Sequence, residues 1–258
     1  MFFDLAYIDP PWAYKDSNNP ASGIAAHYSG MPDDVLMDLP IRNILSVNGF
    51  VALWATATRL DFAIDLLRAW ELRYYGILFV WVKTNKHTKY IQPSNENENN
   101  RNGLFCGVGN VTRGNAELLL LAKNDLNPIK TNISLNLAKQ SNGQYLVDAI
   151  PQITVPNVII HRILGHSRKP VIFQKQLDLL FPSLTKAYFF SRPPLLTQNW
   201  ATKEENFWYH FGDEIDGLDI FDAIGECALL DAKTLREVQN ERVSLLTNGL
   251  RHDKMGLF

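Results

Sequence analysis

The sequence predicts an α/β protein built on a doubly wound, mainly parallel sheet. The first observation behind this is an alternation of short apolar runs with stretches of helical periodicity. The second is size: 258 residues with 46% hydrophobic content suit one sizeable α/β domain and exclude a disordered or fibrous chain. Phe2 to Ile8 is the first strand-like run, and Asp9-Pro10-Pro11 breaks it. Gly49 to Ala55 is the second. Arg59 to Trp70 then places Leu60, Ala63, Ile64 and Leu67 on one helical face. Tyr74 to Val82, Ala116 to Ala122 and Val158 to Ile163 follow as strands. Lys169 to Phe181 reads as a helix and Lys186 to Ser191 as the last core strand. In a sheet of this kind ligands sit beyond the carboxyl ends of the strands.

Two polar stretches interrupt the rhythm, near 84–103 and 124–157. Long loops inside a compact domain are usually functional or disordered. Neither has the size of a domain, so residues 1–217 read as a single domain and 218–258 as a C-terminal helical tail. Cys106 and Cys227 are too few for a disulfide framework or a four-thiolate zinc site, and a reducing cytoplasm is the expected compartment. His27, His161 and His166 are not at metal-ligand spacing with acids or cysteines, so no metal is expected. No apolar run approaches the roughly 18 residues of a membrane helix, and no membrane association is expected. The net charge of -2 provides no global field for nucleic acid, so any such binding must rest on a local patch. Lys83, Lys86, Lys89, Arg101 and Arg113, around the first polar stretch, are the candidates for phosphate contact.

The chemistry concentrates first at Asp9-Pro10-Pro11-Trp12. An acid at a strand end is followed by two residues of fixed φ that donate no backbone hydrogen bond, and then by an indole. This layout suits the grip of a planar exocyclic amine. Asp9 can accept one N–H, the carbonyl of Pro10 the other, and Trp12 can pack on the ring face. An adenine amine is a poor nucleophile because its lone pair is delocalised into the ring. Two acceptors pulling on its hydrogens favour a pyramidal nitrogen whose lone pair can attack. Glu117, at the head of an apolar strand, taken alone reads as a strand-end acid facing water. Gly107-Val108-Gly109 lacks the third glycine of a dinucleotide fingerprint, since Thr112 stands in its place, and no P-loop occurs.

These residues resemble the MT-A family of S-adenosylmethionine-dependent adenine-N6 methyltransferases. That family includes the catalytic subunit of the eukaryotic mRNA N6-methyladenine writer and many bacterial and phage DNA methyltransferases. The likeness runs from about Phe3 to Gly217. It is carried by Asp9-Pro10-Pro11-Trp12, by His27-Tyr28-Ser29-Gly30-Met31, and by Gly107-Val108-Gly109-Asn110-Val111-Thr112-Arg113 with Glu117. His166-Ser167-Arg168-Lys169-Pro170, Phe190-Ser191-Arg192-Pro193, Asn199-Trp200 and Gly212-Asp213-Glu214 complete it.

The resemblance implies a Rossmann-like class I methyltransferase fold, permuted so that the catalytic motif precedes the cofactor motif. It implies S-adenosylmethionine as cofactor. Asp9 and Pro10 would hold the target amine, and Pro11 and Trp12 complete the catalytic tetrapeptide. Tyr28, Glu117 and Lys169 would line the acceptor-adenine pocket. Asp9, Lys169, Arg192, Asp213 and Glu214 would meet the cofactor. The family's pair after Gly212 is commonly Asn with Gln or Glu, and residues 201–211 lengthen the cofactor-side loop. The likeness is nearest to bacterial and phage members, which implies a sequence-specific DNA methyltransferase, of the kind found in restriction-modification, acting on a flipped or single-stranded base. RNA methylation is the alternative, and a non-catalytic partner subunit is the reading from another class. The resemblance leaves a homo- or hetero-dimer open. The intact Asp9-Pro10-Pro11-Trp12, Tyr28, Glu117 and Lys169 argue for a catalytic chain.

Overall fold

A computed structural model describes residues 2–13, 30–89, 103–107, 112–125, 155–165, 168–182, 184–191, 208–212 and 224–225. Its strands are β1 (Phe3–Ile8), β2 (Leu45–Thr56), β3 (Arg73–Thr84), β4 (Ala116–Lys123), β5 (Val158–Arg162), β6 (Lys186–Phe189) and β7 (Trp208–Phe211). The helices are α1 (Asp33–Met37), α2 (Leu60–Ala69) and α3 (Ile172–Leu180). The strands form one sheet in the order β5-β3-β4-β2-β1-β6-β7.

Both faces of the central strands β1 and β2 are covered, which is why their runs are apolar at consecutive positions. Ala6 and Ile8 of β1, with Val51, Leu53 and Ala55 of β2, face one core, where Leu36 of α1 and Ala63, Leu66 and Leu67 of α2 pack. Leu5 and Tyr7, with Ala52 and Trp54, face a second core, closed by Phe173 and Leu177 of α3. Ile224, from the C-terminal region, is buried in the first core. The helical face expected in 59–70 is the one that packs, and α2 ends where Trp70 Nε1 donates to the Leu36 carbonyl at 2.9 Å.

Two features differ from the sequence expectation. β4 is antiparallel to both β2 and β3, while the β1–β2, β1–β6, β3–β5 and β6–β7 pairs are parallel. An apolar run carries no sign of direction. The cue was its connection: the polar stretch after Thr84 had no helical pattern, and a strand that returns without a crossover helix pairs antiparallel. The second difference is β7. Residues 201–211 read as a lengthened loop, yet Trp208–Phe211 extends the sheet beyond β6. Its signal was the aromatic run Phe207-Trp208-Tyr209-His210-Phe211, which has high strand propensity.

The strand order sets the position of a site. From β1 the chain moves to β2 on one side, whereas β6 lies on the other side of β1 and is followed by β7 farther out. The carboxyl ends of β1 and β6 therefore flank a switch point, where an open α/β sheet forms its ligand crevice. Because β4 runs the opposite way, its first residues, not its last, stand at that same edge.

Candidate active site

Asp9 follows β1 directly, and its backbone N–H donates to the Phe189 carbonyl of β6 at 3.4 Å. The tetrapeptide then folds tightly. Trp12 N–H donates to the Pro10 carbonyl at 2.9 Å, and Met31 N–H to the Pro11 carbonyl at 2.7 Å. The Pro10 oxygen keeps a second lone pair for a ligand N–H. Gly30 allows the close pass behind the turn, since a Cβ there would fall 2.5 Å from Ala13 Cα. Trp12 departs from its expected role as a stacking platform. Its ring is only 4% exposed, lies edge-on to Phe62 at 6.0 Å, and carries the Arg59 guanidinium over it at 5.6 Å. It anchors the turn in the first core.

Glu117 reaches the same edge by register. It pairs with Thr56 of β2 and Trp81 of β3, near the carboxyl ends of those strands. It is 8% exposed, so the reading of a strand-end acid facing water does not hold. Lys169 arrives from a third direction, just before α3, with its side chain 5% exposed. Its Nζ donates to both oxygens of Asp9, at 2.7 and 2.8 Å, and lies 3.2 Å from Glu117 Oε2. Lys83 Nζ donates to the other Glu117 oxygen. The ammonium of Lys169 also sits 5.4 Å from the centre of the Trp54 ring. Trp54 is locked edge-on against Phe173 at 4.8 Å, Trp81 at 6.2 Å and Tyr7 at 6.3 Å, which makes a rigid aromatic floor.

The cluster thus holds two carboxylates and two ammonium groups. Burial pushes the Glu117 carboxyl up, but Lys169 and Lys83 pull it down further, and the net shift is below its ordinary value of 4.5. Burial pushes the Lys169 ammonium down, and Asp9 and Glu117 more than offset this, so it stays protonated well into the alkaline range. The stability from Glu117 is present above its ordinary value and is lost as pH falls through the depressed folded value. The stability from Lys169 is present below its ordinary value of 10.5 and is lost as pH rises through the raised folded value. A folding plateau between about pH 5 and pH 10 follows for this cluster. Urea midpoints measured from pH 3 to pH 7 are expected to show a shallower acid decline in Glu117→Gln than in wild type; an identical slope would refute the ionised-cluster account.

Of the other sequence-predicted residues, Lys86, Lys89 and Arg113 are exposed. Lys83, expected with them on a phosphate-contacting surface, instead belongs to the ion cluster. Tyr28, Arg101, Arg192, Asp213 and Glu214 lie outside the described residues. Sequence reasoning missed the Lys83–Glu117 pair and the Trp54 floor. Nothing in spacing marks them, because strand register across β3, β4 and β2 brings them together. Among the described residues no group of three or more His, Cys, Asp or Glu could hold a metal ion.

A seven-stranded α/β sheet with an acid and a buried lysine at its switch point has the Rossmann-like architecture of class I S-adenosylmethionine-dependent methyltransferases. Residues 3–125, which include β1 to β4, match the MT-A70 family model. It is 24% identical over 220 residues to the N(6)-adenosine-methyltransferase MT-A70-like protein of Drosophila melanogaster, covering 85% of this chain and 28% of that protein. It is 23% identical over 220 residues to the human N(6)-adenosine-methyltransferase catalytic subunit METTL3, covering 85% and 29%. The chain spans under a third of the length of these relatives.

MT-A70 methyltransferases use S-adenosylmethionine as methyl donor. The structure fits that cofactor on two counts. The Asp9 carboxylate at the switch point suits its amino and sulfonium cations. Beyond β6 and β7, Gly212 passes so close to Ser191 that a Cβ would lie 2.5 Å from the Ser191 carbonyl oxygen, a bare-backbone wall of the kind a nucleoside can approach.

Proposed function

We propose that this chain methylates the N6 amine of adenine in nucleic acid, with DNA as the favoured substrate. The observation that carries the reading is the convergence of Asp9, Glu117 and Lys169 at the switch point, from positions 160 residues apart at the extremes. Asp9 accepts one amine N–H and the free lone pair of the Pro10 carbonyl accepts the other. Both interactions strengthen as the nitrogen pyramidalises, so they favour the transition state over the ground state. Lys169 holds the Asp9 carboxylate in one orientation through contacts to both its oxygens. Glu117, fixed by two lysines, forms the polar wall beside it. When bound, S-adenosylmethionine supplies an electrophilic methyl group on a sulfonium.

The target base must leave its stack to reach Asp9, so the substrate is a flipped base in duplex DNA or a base in a single strand. Lys86, Lys89 and Arg113 offer exposed positive charge near the edge where the pocket opens, which suits phosphate contact. The preference for DNA rests on the likeness of the sequence to bacterial and phage members, where a cytoplasmic modification enzyme is the natural setting. The relatives are adenosine methyltransferases by name, which favours RNA as the second reading.

The test is transfer of labelled methyl to duplex DNA, single-stranded DNA and RNA pools, followed by nucleoside analysis. N6-methyladenine in DNA is the expected product. Label confined to RNA would keep the chemistry and overturn the substrate. No label in any pool, with cofactor bound, would overturn the reading of an autonomous catalytic chain in favour of a partner subunit.

A further inference from the structure

Away from Asp9, the carboxyl ends of β6 and β7 carry a second set of unusual features. β6 ends at Phe189, and Phe190 then takes a φ of 58°. A bulky residue seldom adopts this left-handed backbone, and such strain persists only where surrounding contacts over-determine it. Ser191 follows, 2% exposed, and its N–H donates to the Phe211 carbonyl at 2.9 Å. Ser191 Oγ and His210 Nδ1 share a hydrogen bond of 2.8 Å. His210 sits in register with Tyr188, with ring centres 5.8 Å apart, and Tyr188 lies edge-on to Tyr7 at 4.6 Å. Burial pushes the His210 imidazole down to about 4, which keeps it neutral near pH 7 and able to share this bond without a charge to solvate. Gly212 completes the arrangement through its close pass against Ser191.

We propose that the Ser191–His210 pair is a positioning device for S-adenosylmethionine. It ties the strained turn after β6 to the end of β7, so that the two backbone segments stand at fixed separation before the cofactor arrives. The inference rests on the cofactor reading given above. The reasoning is one of preorganisation. A left-handed Phe190 is costly, and the side-chain bond between Ser191 and His210 is a contact that joins the two strand ends beyond the sheet's own ladder. Without it the segments must be ordered by the ligand, and affinity falls by that ordering cost. Ser191 and His210 act through the backbone they hold, so they are positioning residues.

The test is calorimetric affinity for S-adenosylhomocysteine in the full chain, alongside circular dichroism and melting curves. Ser191→Ala removes the hydroxyl, and His210→Phe keeps the ring beside Tyr188 while removing the bond. Each is expected to weaken binding about three- to tenfold, the size of one lost hydrogen bond. The double variant is expected to bind no more weakly than the worse single, because both changes break one interaction. Ser191→Thr, which restores a hydroxyl, is expected to recover affinity, which a general loss of packing would not predict. Wild-type binding with unchanged affinity in whichever of the two variants folds would overturn the positioning role alone. Absence of binding by wild type would overturn the cofactor reading and this inference with it.

Discussion

Asp9→Asn is expected to reduce methyl transfer by at least about a hundredfold, the scale set by removal of one preorganised electrostatic group. The amide is nearly isosteric with the carboxylate, so the turn through Pro10, Pro11 and Trp12 keeps its backbone bonds to Met31 and within itself. What changes is the acceptor. An amide offers one oxygen and presents N–H to a substrate that also presents N–H. It also removes one negative partner from Lys169, whose Nζ contacts both Asp9 oxygens. Glu117 remains 3.2 Å away, so the ammonium is still paired and the fold is expected to persist. The measurement is single-turnover transfer with melting curves on the same preparation. Residual activity within a few-fold of wild type, in a folded variant, would remove Asp9 from the chemistry and with it the proposed mechanism.

Lys169→Met carries the largest expected effect on stability. The side chain is 5% exposed and its charge is shared by Asp9 and Glu117. Methionine matches the length of the stem, so little packing is lost, and the loss is electrostatic. Removing one partner of a buried ion pair costs about 3–5 kcal/mol, because the charge left behind is unpaired in a poorly solvated place. Lys83 still covers Glu117, which places the expectation at the low end, about 3 kcal/mol by urea denaturation. Adding Asp9→Asn to Lys169→Met is expected to restore part of the loss, since the stranded carboxylate is then gone. A loss under about 1 kcal/mol in the single variant, or none recovered in the double, would show that the cluster is solvated and that Lys169 does not order Asp9.

Asp9 and Glu117 differ in how far they could be read in advance. Asp9 was legible from four coinciding features, all local in sequence: an apolar run, the acid itself, two prolines and an aromatic. Local patterns also showed β1, β2, β3 and α2, since both faces of the central strands are buried and the helix has one apolar side. Glu117 was not legible in that way. An acid at a strand head faces water or a pocket depending on the direction of its strand, and direction is a property of the connection. Once β4 runs antiparallel, its first residues join the edge formed by the last residues of β1, β2 and β3. Lys83 was placed on the surface because the residues after it are polar, yet its ammonium reaches across to Glu117 on β4 and lies over the ring of Trp81 on its own strand. Trp12 shows the converse: its position beside Asp9 suggested a platform, and packing against Phe62 made it an anchor.

Composition, periodicity and the Asp9-Pro10-Pro11-Trp12 turn were thus enough to predict an α/β sheet and to single out the end of β1 as the candidate place of chemistry. Those features depend on contacts between residues close in the chain, where burial and fixed φ leave marks at short range. The reversed strand, the edge strand β7, the Lys169 bridge between two carboxylates and the Ser191–His210 bond belong to the fold. Each depends on pairing between residues far apart in the chain. Local propensity marks 207–211 as strand-forming, but the partner strand, register and crossover direction are set by the fold.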